Sequence, residues 1–211
     1  NGVLLLDELP EFKRNVLEVL RQPLEDQAIT ISRVAGTLTY PARFMLVAAM
    51  NPCPCGFFTD PKRECRCTPI QIQKYLSKIS GPLLDRIDMH LEVPRLNYEQ
   101  LTRKTQMETS DKIKERVDRA RDAQRQRYGK NSLQCNAFLE SKEIERYCQV
   151  NPEGSDLLKM AILELGLSAR AYDKVLKLAR TIADLDAKET IEAAHISEAV
   201  GYRSLDRNLW V

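Results

Sequence analysis

Two groups of residues in this chain have types and spacings suited to chemistry. The first is Asp7-Glu8, which follows directly on the apolar run Gly2-Val3-Leu4-Leu5-Leu6. Paired carboxylates at the carboxyl end of a buried strand suit phosphate hydrolysis. The aspartate holds Mg²⁺ through its water shell, and the glutamate beside it polarises the attacking water. The second group is Cys53-Pro54-Cys55 with Cys65-Arg66-Cys67. Two Cys-x-Cys pairs at this separation converge four thiolates on one tetrahedral ion. Pro54 stiffens the first pair, and Gly56 lets the backbone turn. Zn²⁺ suits four thiolates and needs no redox chemistry. An iron–sulfur cluster, reduced thiols or a disulfide are the alternatives. With all four ligands from protein, a zinc ion has no open position and is structural.

A third set is less specific. Asn51 ends the apolar run Phe44 to Met50. If that run neighbours the Asp7-Glu8 strand, the Asn51 amide lies beside the same phosphate and orients water without competing for Mg²⁺. Otherwise it satisfies loop backbone. Arg86 stands at the corner Gly81-Pro82-Leu83-Leu84-Asp85-Arg86-Ile87-Asp88. It either pairs with Asp85 or Asp88 or projects into a neighbouring subunit's site as an arginine finger. Arg170 opens a helix and either reaches a phosphate or is plain helix charge. Arg33 and Arg43 read as surface charges, or, under the family resemblance given below, as contacts to DNA phosphates. Cys135, Cys148, His90 and His195 show no ligand spacing and read as packing or surface residues.

These residues need elements to position them. The run before Asp7 and the run from Phe44 read as buried parallel strands. Pro10 starts a helix through Phe12, Val16, Leu17 and Leu20 that Pro23 stops. Ala28 to Arg33 and Thr37 to Pro41 alternate around Val34-Ala35-Gly36 and form a hairpin. Pro69 to Ile79 is helical, and Ile87 to Val93 alternates as a half-buried strand. From about Tyr98 only helical periodicity remains. Helices are expected over Ser110 to Tyr128, Ser141 to Cys148, Pro152 to Leu165, Ser168 to Leu185 and Ile191 to Tyr202. Gly166 is suited to end one helix and Ser168 to cap the next. A domain boundary falls near residue 95.

Composition narrows the classes. Among 211 residues, 43% are hydrophobic and 29% charged, which fits a globular protein with no membrane partner. No apolar run approaches membrane-spanning length and no signal peptide is present. A net charge of +2 makes no global case for nucleic acid. Six cysteines in a cytoplasmic-looking chain favour metal or free thiols over disulfides. A phosphate-binding loop is missing: the one Gly-Lys pair, Gly129-Lys130, is followed by Asn131, and Gln124 stands where the first glycine belongs. The chain also starts at Asn1. The expectation is a fragment that begins at its second nucleotide motif and is inactive as an ATPase by itself.

Leu4-Leu5-Leu6-Asp7-Glu8, the hairpin before Met50-Asn51-Pro52, Gly81-Pro82-Leu83-Leu84-Asp85-Arg86-Ile87-Asp88 and Leu167-Ser168-Ala169-Arg170-Ala171-Tyr172 occur in this order. In order and wording the chain resembles the magnesium-chelatase-like AAA+ ATPases, within them the bacterial ComM/YifB competence-protein subfamily. The cysteine pairs resemble that subfamily rather than the chelatase subunit proper. The resemblance implies an α/β fold: part of an AAA+ parallel sheet with hairpin and zinc-knuckle insertions over 1–95, then an all-α lid over 96–211. It implies Asp7 and Glu8 as Walker B acids, Asn51 as sensor 1, Arg86 as arginine finger and Arg170 as sensor 2. It implies ATP and Mg²⁺, a homo-oligomeric ring that is usually hexameric, and a motor for DNA branch migration. A magnesium-chelatase motor subunit and a non-enzymatic zinc-bearing interaction module are the competing readings.

Overall fold

The computed structural model describes residues 2–34, 36–95, 98, 108–129 and 135–203. It is a mixed α/β chain in two compact units, one up to Ile87 and the other from Asp88 onward. The boundary expected near residue 95 abuts residues 96–97 and 99–107, which lie outside the described residues.

The first unit is built on β1 (Gly2–Leu6) and β4 (Phe44–Ala48), a parallel pair in register from Gly2↔Phe44 to Leu6↔Ala48. Side chains alternate across the pair. Leu4, Leu6 and Leu46 point one way and are half-buried. Leu6 packs with Met50 against the buried cluster of Leu9, Leu17, Ile79 and Leu83. Each leucine removed from water there contributes about 1.5–3 kcal/mol. Val3, Leu5, Met45 and Val47 point the other way and are 64%, 66%, 60% and 40% exposed. The strand expected to be buried on both faces is therefore covered on one. Among the described residues β1 pairs only with β4.

Leu9 to Asp26 departs from the single expected helix. A 3₁₀ turn (Leu9–Glu11) leads to α1 (Arg14–Val19) and α2 (Arg21–Asp26). The break falls at Leu20, and Pro23 sits inside the first turn of α2 instead of stopping α1. A first-turn N–H has no helical partner to lose, so proline is tolerated there. The hairpin forms as expected, β2 (Ala28–Arg33) against β3 (Gly36–Pro41). Gly36, at φ 143°, makes the turn. One hairpin face carries a hydroxyl ladder, Thr30 to Thr39 and Ser32 to Thr37, each 3.1 Å. The other exposes Ile31, Leu38 and Tyr40. Next come α3 (Pro69–Leu76) and α4 (Gly81–Leu84).

The strand expected over Ile87–Val93 is not formed. Alternation makes a half-buried strand only where its apolar side is covered, and Met89, Leu91 and Val93 are exposed here, so the segment stays irregular. The His90 N–H donates to the Tyr202 carbonyl at 2.8 Å. Lys174 pairs with Asp88 at 2.7 Å. The second unit holds α5 (Ser110–Tyr128), α6 (Ser141–Tyr147), α7 (Pro152–Leu165), α8 (Ala169–Leu185) and α9 (Ala193–Gly201). Its core joins Tyr128, Leu139, Ile144, Leu158, Val175, Ala179, Ile191 and Ile196. Asp184 lies inside that core and accepts from Arg127 at 3.0 Å, Asn136 at 2.9 Å and Arg180 Nε at 3.1 Å. Cys148 and His195 are packed in this unit, and burial pushes the Cys148 thiol up to about 11. No helix among the described residues is long and apolar enough to cross a membrane.

Candidate active site and metal centre

Asp7 and Glu8 occupy the carboxyl end of β1, both exposed. The Ala49 N–H donates to the Leu6 carbonyl at 2.9 Å, as a parallel ladder requires. The next rung would use the N–H of Glu8. It is instead Leu9 that donates to the Ala49 carbonyl, at 2.9 Å. One extra residue is thus fitted into the strand end, as in a bulge. The Glu8 N–H turns to the Asp7 carboxylate, Oδ1 at 2.9 Å. Glu8 adopts the left-handed conformation, φ 52° and ψ 46°, which a residue with a Cβ avoids unless the surroundings impose it. The two rungs on Ala49 impose it here. Asp7 offers an exposed, oriented carboxylate, which fits a Mg²⁺ ion that keeps most of its waters.

Asn51 ends the neighbouring strand at this same edge, three residues past Ala48. Asp7-Glu8 and Asn51 thus follow two adjacent parallel strands at the same carboxyl edge. Arg86 is different. Its side chain is 14% exposed, ion-paired with Glu25 of α2. It also donates to the Pro82 carbonyl at 2.7 Å. The partner is neither Asp85 nor Asp88, and the guanidinium is engaged within its own unit. That geometry favours the ion-pair alternative in the state described. Arg170 lies exposed in the first turn of α8, in the second unit. Ser168 caps that helix by accepting from the Ala171 N–H at 3.2 Å. Arg33 is exposed at the end of β2, opposite Gly36, and Arg43 is exposed just before β4.

The four cysteines converge. Cys53 Sγ lies 3.4 Å from Cys55 Sγ and 3.7 Å from Cys65 Sγ, and Cys55 to Cys65 is 3.6 Å. Cys67 completes a group whose sulfurs all lie within 4.8 Å of one another. Tetrahedral zinc with metal–sulfur bonds of about 2.3 Å holds its ligands roughly 3.8 Å apart. The donor set and spacing fit that ion. Backbone hydrogen bonds at Phe57 and Arg66 lower the Cys55 thiol to about 6. The backbone at Cys67 pulls Cys65 the same way, but burial and the adjoining thiols outweigh it and push Cys65 up to about 12. Burial likewise raises Cys67. A divalent ion would compensate the negative charge of four thiolates brought this close.

Gly56, expected to let the backbone turn, adopts φ 79°, and a Cβ there would lie 3.8 Å from Asn51 Cγ, an ordinary contact distance. One residue beside the site was not apparent from the sequence. Tyr75, buried in α3, has its hydroxyl raised by burial and by the Glu11 charge, opposed by the Asn51 backbone. The legible signal was the capping box Thr68-Pro69-Ile70-Gln71, which fixes where α3 starts.

Comparison with known proteins matches this arrangement. Residues 1–101 match the family described as magnesium chelatase, subunit ChlI, and residues 107–203 match its C-terminal family. The chain is 49% identical over 210 residues to competence protein ComM of Haemophilus influenzae, covering 99% of this chain and 40% of that protein. It is 47% identical over 211 residues to the uncharacterised protein YifB of Escherichia coli, with the same coverage. An uncharacterised Mycobacterium tuberculosis protein is 36% identical over 204 residues, covering 96% of this chain and 40% of its own length. The chain spans 40% of the length of these relatives. It belongs to the magnesium-chelatase-like family, in the subfamily of ComM and YifB.

Proposed function

We propose that this chain supplies the hydrolytic edge of an AAA+ ATPase, with Asp7 holding Mg²⁺, Glu8 polarising the attacking water and Asn51 orienting it. The observation that carries this reading is the common edge: Asp7-Glu8 directly follows β1 and Asn51 comes three residues after β4, at the carboxyl end of two adjacent parallel strands. ATP is the substrate, and Asp7 would hold a Mg²⁺ ion that neutralises phosphate charge. The Cys53, Cys55, Cys65 and Cys67 centre holds structural Zn²⁺ and takes no part in bond making. Without a phosphate loop, the 211 residues by themselves hydrolyse no ATP.

The test is Glu8→Gln in the full-length protein. Turnover should fall at least about 100-fold while ATP affinity changes by no more than a few-fold. Unchanged turnover removes Glu8 from the chemistry. A full-length protein that hydrolyses no ATP at all leaves the zinc-bearing interaction module as the better reading.

The same reading makes the full-length protein a cytoplasmic homo-oligomeric ring that moves on DNA. Support comes from the hairpin, which places Arg33 at an exposed tip, and from the relative named for competence. If Arg33 and Arg43 touch phosphates, each alanine substitution reduces the salt slope of DNA binding by about 1. Arg170 serves the triphosphate from the second unit. Arg86 acts as an arginine finger by exchanging Glu25 for a neighbouring copy's phosphate; Arg86→Ala then abolishes turnover in the assembled ring without weakening ATP binding. The family description favours a second reading, the motor subunit of magnesium insertion into a porphyrin. ATPase stimulated by a porphyrin-binding partner, and indifferent to DNA, would select it.

A further inference from the structure

The cysteine centre begins two residues after Asn51, and the turn it closes folds back onto that residue. Cys53 is fully buried although Asn51 is exposed. The Gly56 N–H donates to the Cys53 carbonyl at 3.0 Å, and the Phe58 N–H donates to Cys53 Sγ at 3.3 Å. This brings the turn at Gly56 beside the Asn51 side chain. A Cβ on Gly56 would lie 3.8 Å from Asn51 Cγ and 3.9 Å from Oδ1, ordinary contact distances, so it is the left-handed backbone at φ 79° that calls for glycine here. The other cysteine pair closes the circuit. Cys67 is followed by Thr68, whose hydroxyl accepts from the Gln71 N–H at 3.3 Å and starts α3. The last turn of α3 carries Tyr75, only 6% exposed. The four convergent thiols are the link that joins the two halves of this loop.

We propose that the four-cysteine centre positions Asn51. Metal held by Cys53, Cys55, Cys65 and Cys67 fixes the Cys53–Phe58 turn, and the turn seats the Asn51 amide beside Gly56. Nucleotide turnover then depends on the metal, whereas nucleotide binding does not. This rests on the assignment of Asn51 and Glu8 to hydrolysis. A centre that only stabilised the unit would lower folding stability, ATP binding and turnover together.

The experiment uses full-length protein, zinc-loaded, zinc-stripped with a chelator, and as the Cys65→Ser, Gly56→Ala and Asn51→Ala variants. Zinc content, ATP affinity and kcat are measured on each. Stripping and Cys65→Ser should remove about one zinc per chain and lower kcat by about tenfold or more, with ATP affinity within about threefold of wild type. Gly56→Ala should keep its zinc and show the same loss in kcat. In the Asn51→Ala background neither stripping nor Cys65→Ser should lower kcat by a further factor above about two, because the coupled residues act as one unit. Unchanged kcat in the zinc-free protein overturns the proposal. So do losses that multiply with Asn51→Ala, or ATP binding that collapses in parallel. If zinc-loaded wild type has no ATPase, the hydrolase assignment fails, and amide exchange judges the positioning by itself. Stripping should then expose the amide of Gly56, which donates to the Cys53 carbonyl, while those of Leu9 and Ala49 stay protected, and unchanged protection at Gly56 overturns it.

Discussion

Asp184 is 1% exposed and faces two guanidiniums, those of Arg127 and Arg180. Burial alone would raise its carboxyl, but hydrogen bonds from Arg127 and Asn136 and the Arg180 and Arg127 charges outweigh it, and its pKa is lowered. A carboxyl lowered on folding stabilises above its unfolded value near 4 and loses that contribution as pH falls through the folded value. The second unit should therefore weaken only below about pH 4, followed by circular dichroism. Asp184→Asn leaves Arg180, also 1% exposed, without its counter-charge and should cost about 3–5 kcal/mol by urea titration. Gly154 gives a second prediction. A Cβ there would lie 2.8 Å from both Asn151 Oδ1 and Val150 Cγ1, crowding the cap that starts α7. Gly154→Ala should destabilise by about 1–3 kcal/mol, against the usual preference of helices for alanine. Neither was legible in the sequence. Arg180 and Asp184 are four apart on a helix, which reads as a surface pair until the core is known to close over it. The chemistry-bearing types were legible, because few alternatives place two acids after a leucine run or four cysteines in two short pairs.

At the scale of elements, the hairpin, the β1–β4 neighbourhood and the five long helices follow from periodicity and caps. The misses have one physical origin. Ile87–Val93 alternates like a strand, yet its apolar Met89, Leu91 and Val93 are exposed and the buried residue is His90, held by a backbone hydrogen bond to Tyr202 just after α9. The Leu20 break between α1 and α2 has no breaker residue, and Pro23, the visible breaker, falls where helices accept it. The bulge at Glu8 leaves no mark in composition, because it arises from the rungs on Ala49. The cysteine loop has little apolar content of its own, so its order should depend on the ion. Chelation should increase amide exchange over residues 53–67 and leave α5 to α9 protected, read by hydrogen exchange with mass spectrometry. Equal loss in both units would refute a local role for the ion.

For the molecule as a whole, the two units should report separately on damage, since each holds its own buried cluster. Leu17→Ala, in the first unit's cluster, should cost about 2–5 kcal/mol there and leave the exchange pattern of residues 135–203 unchanged. The uncovered side of the two-stranded sheet has a more practical consequence. Val3, Leu5, Met45 and Val47 form an exposed apolar face on a sheet that, among the described residues, has no third strand on either edge, an arrangement that invites sticking. Handled alone, the 211-residue chain should bind anilinonaphthalene sulfonate and scatter light increasingly with concentration. A lysine at Leu5 should suppress both, so workability at the bench hinges on four side chains that take no part in any chemistry.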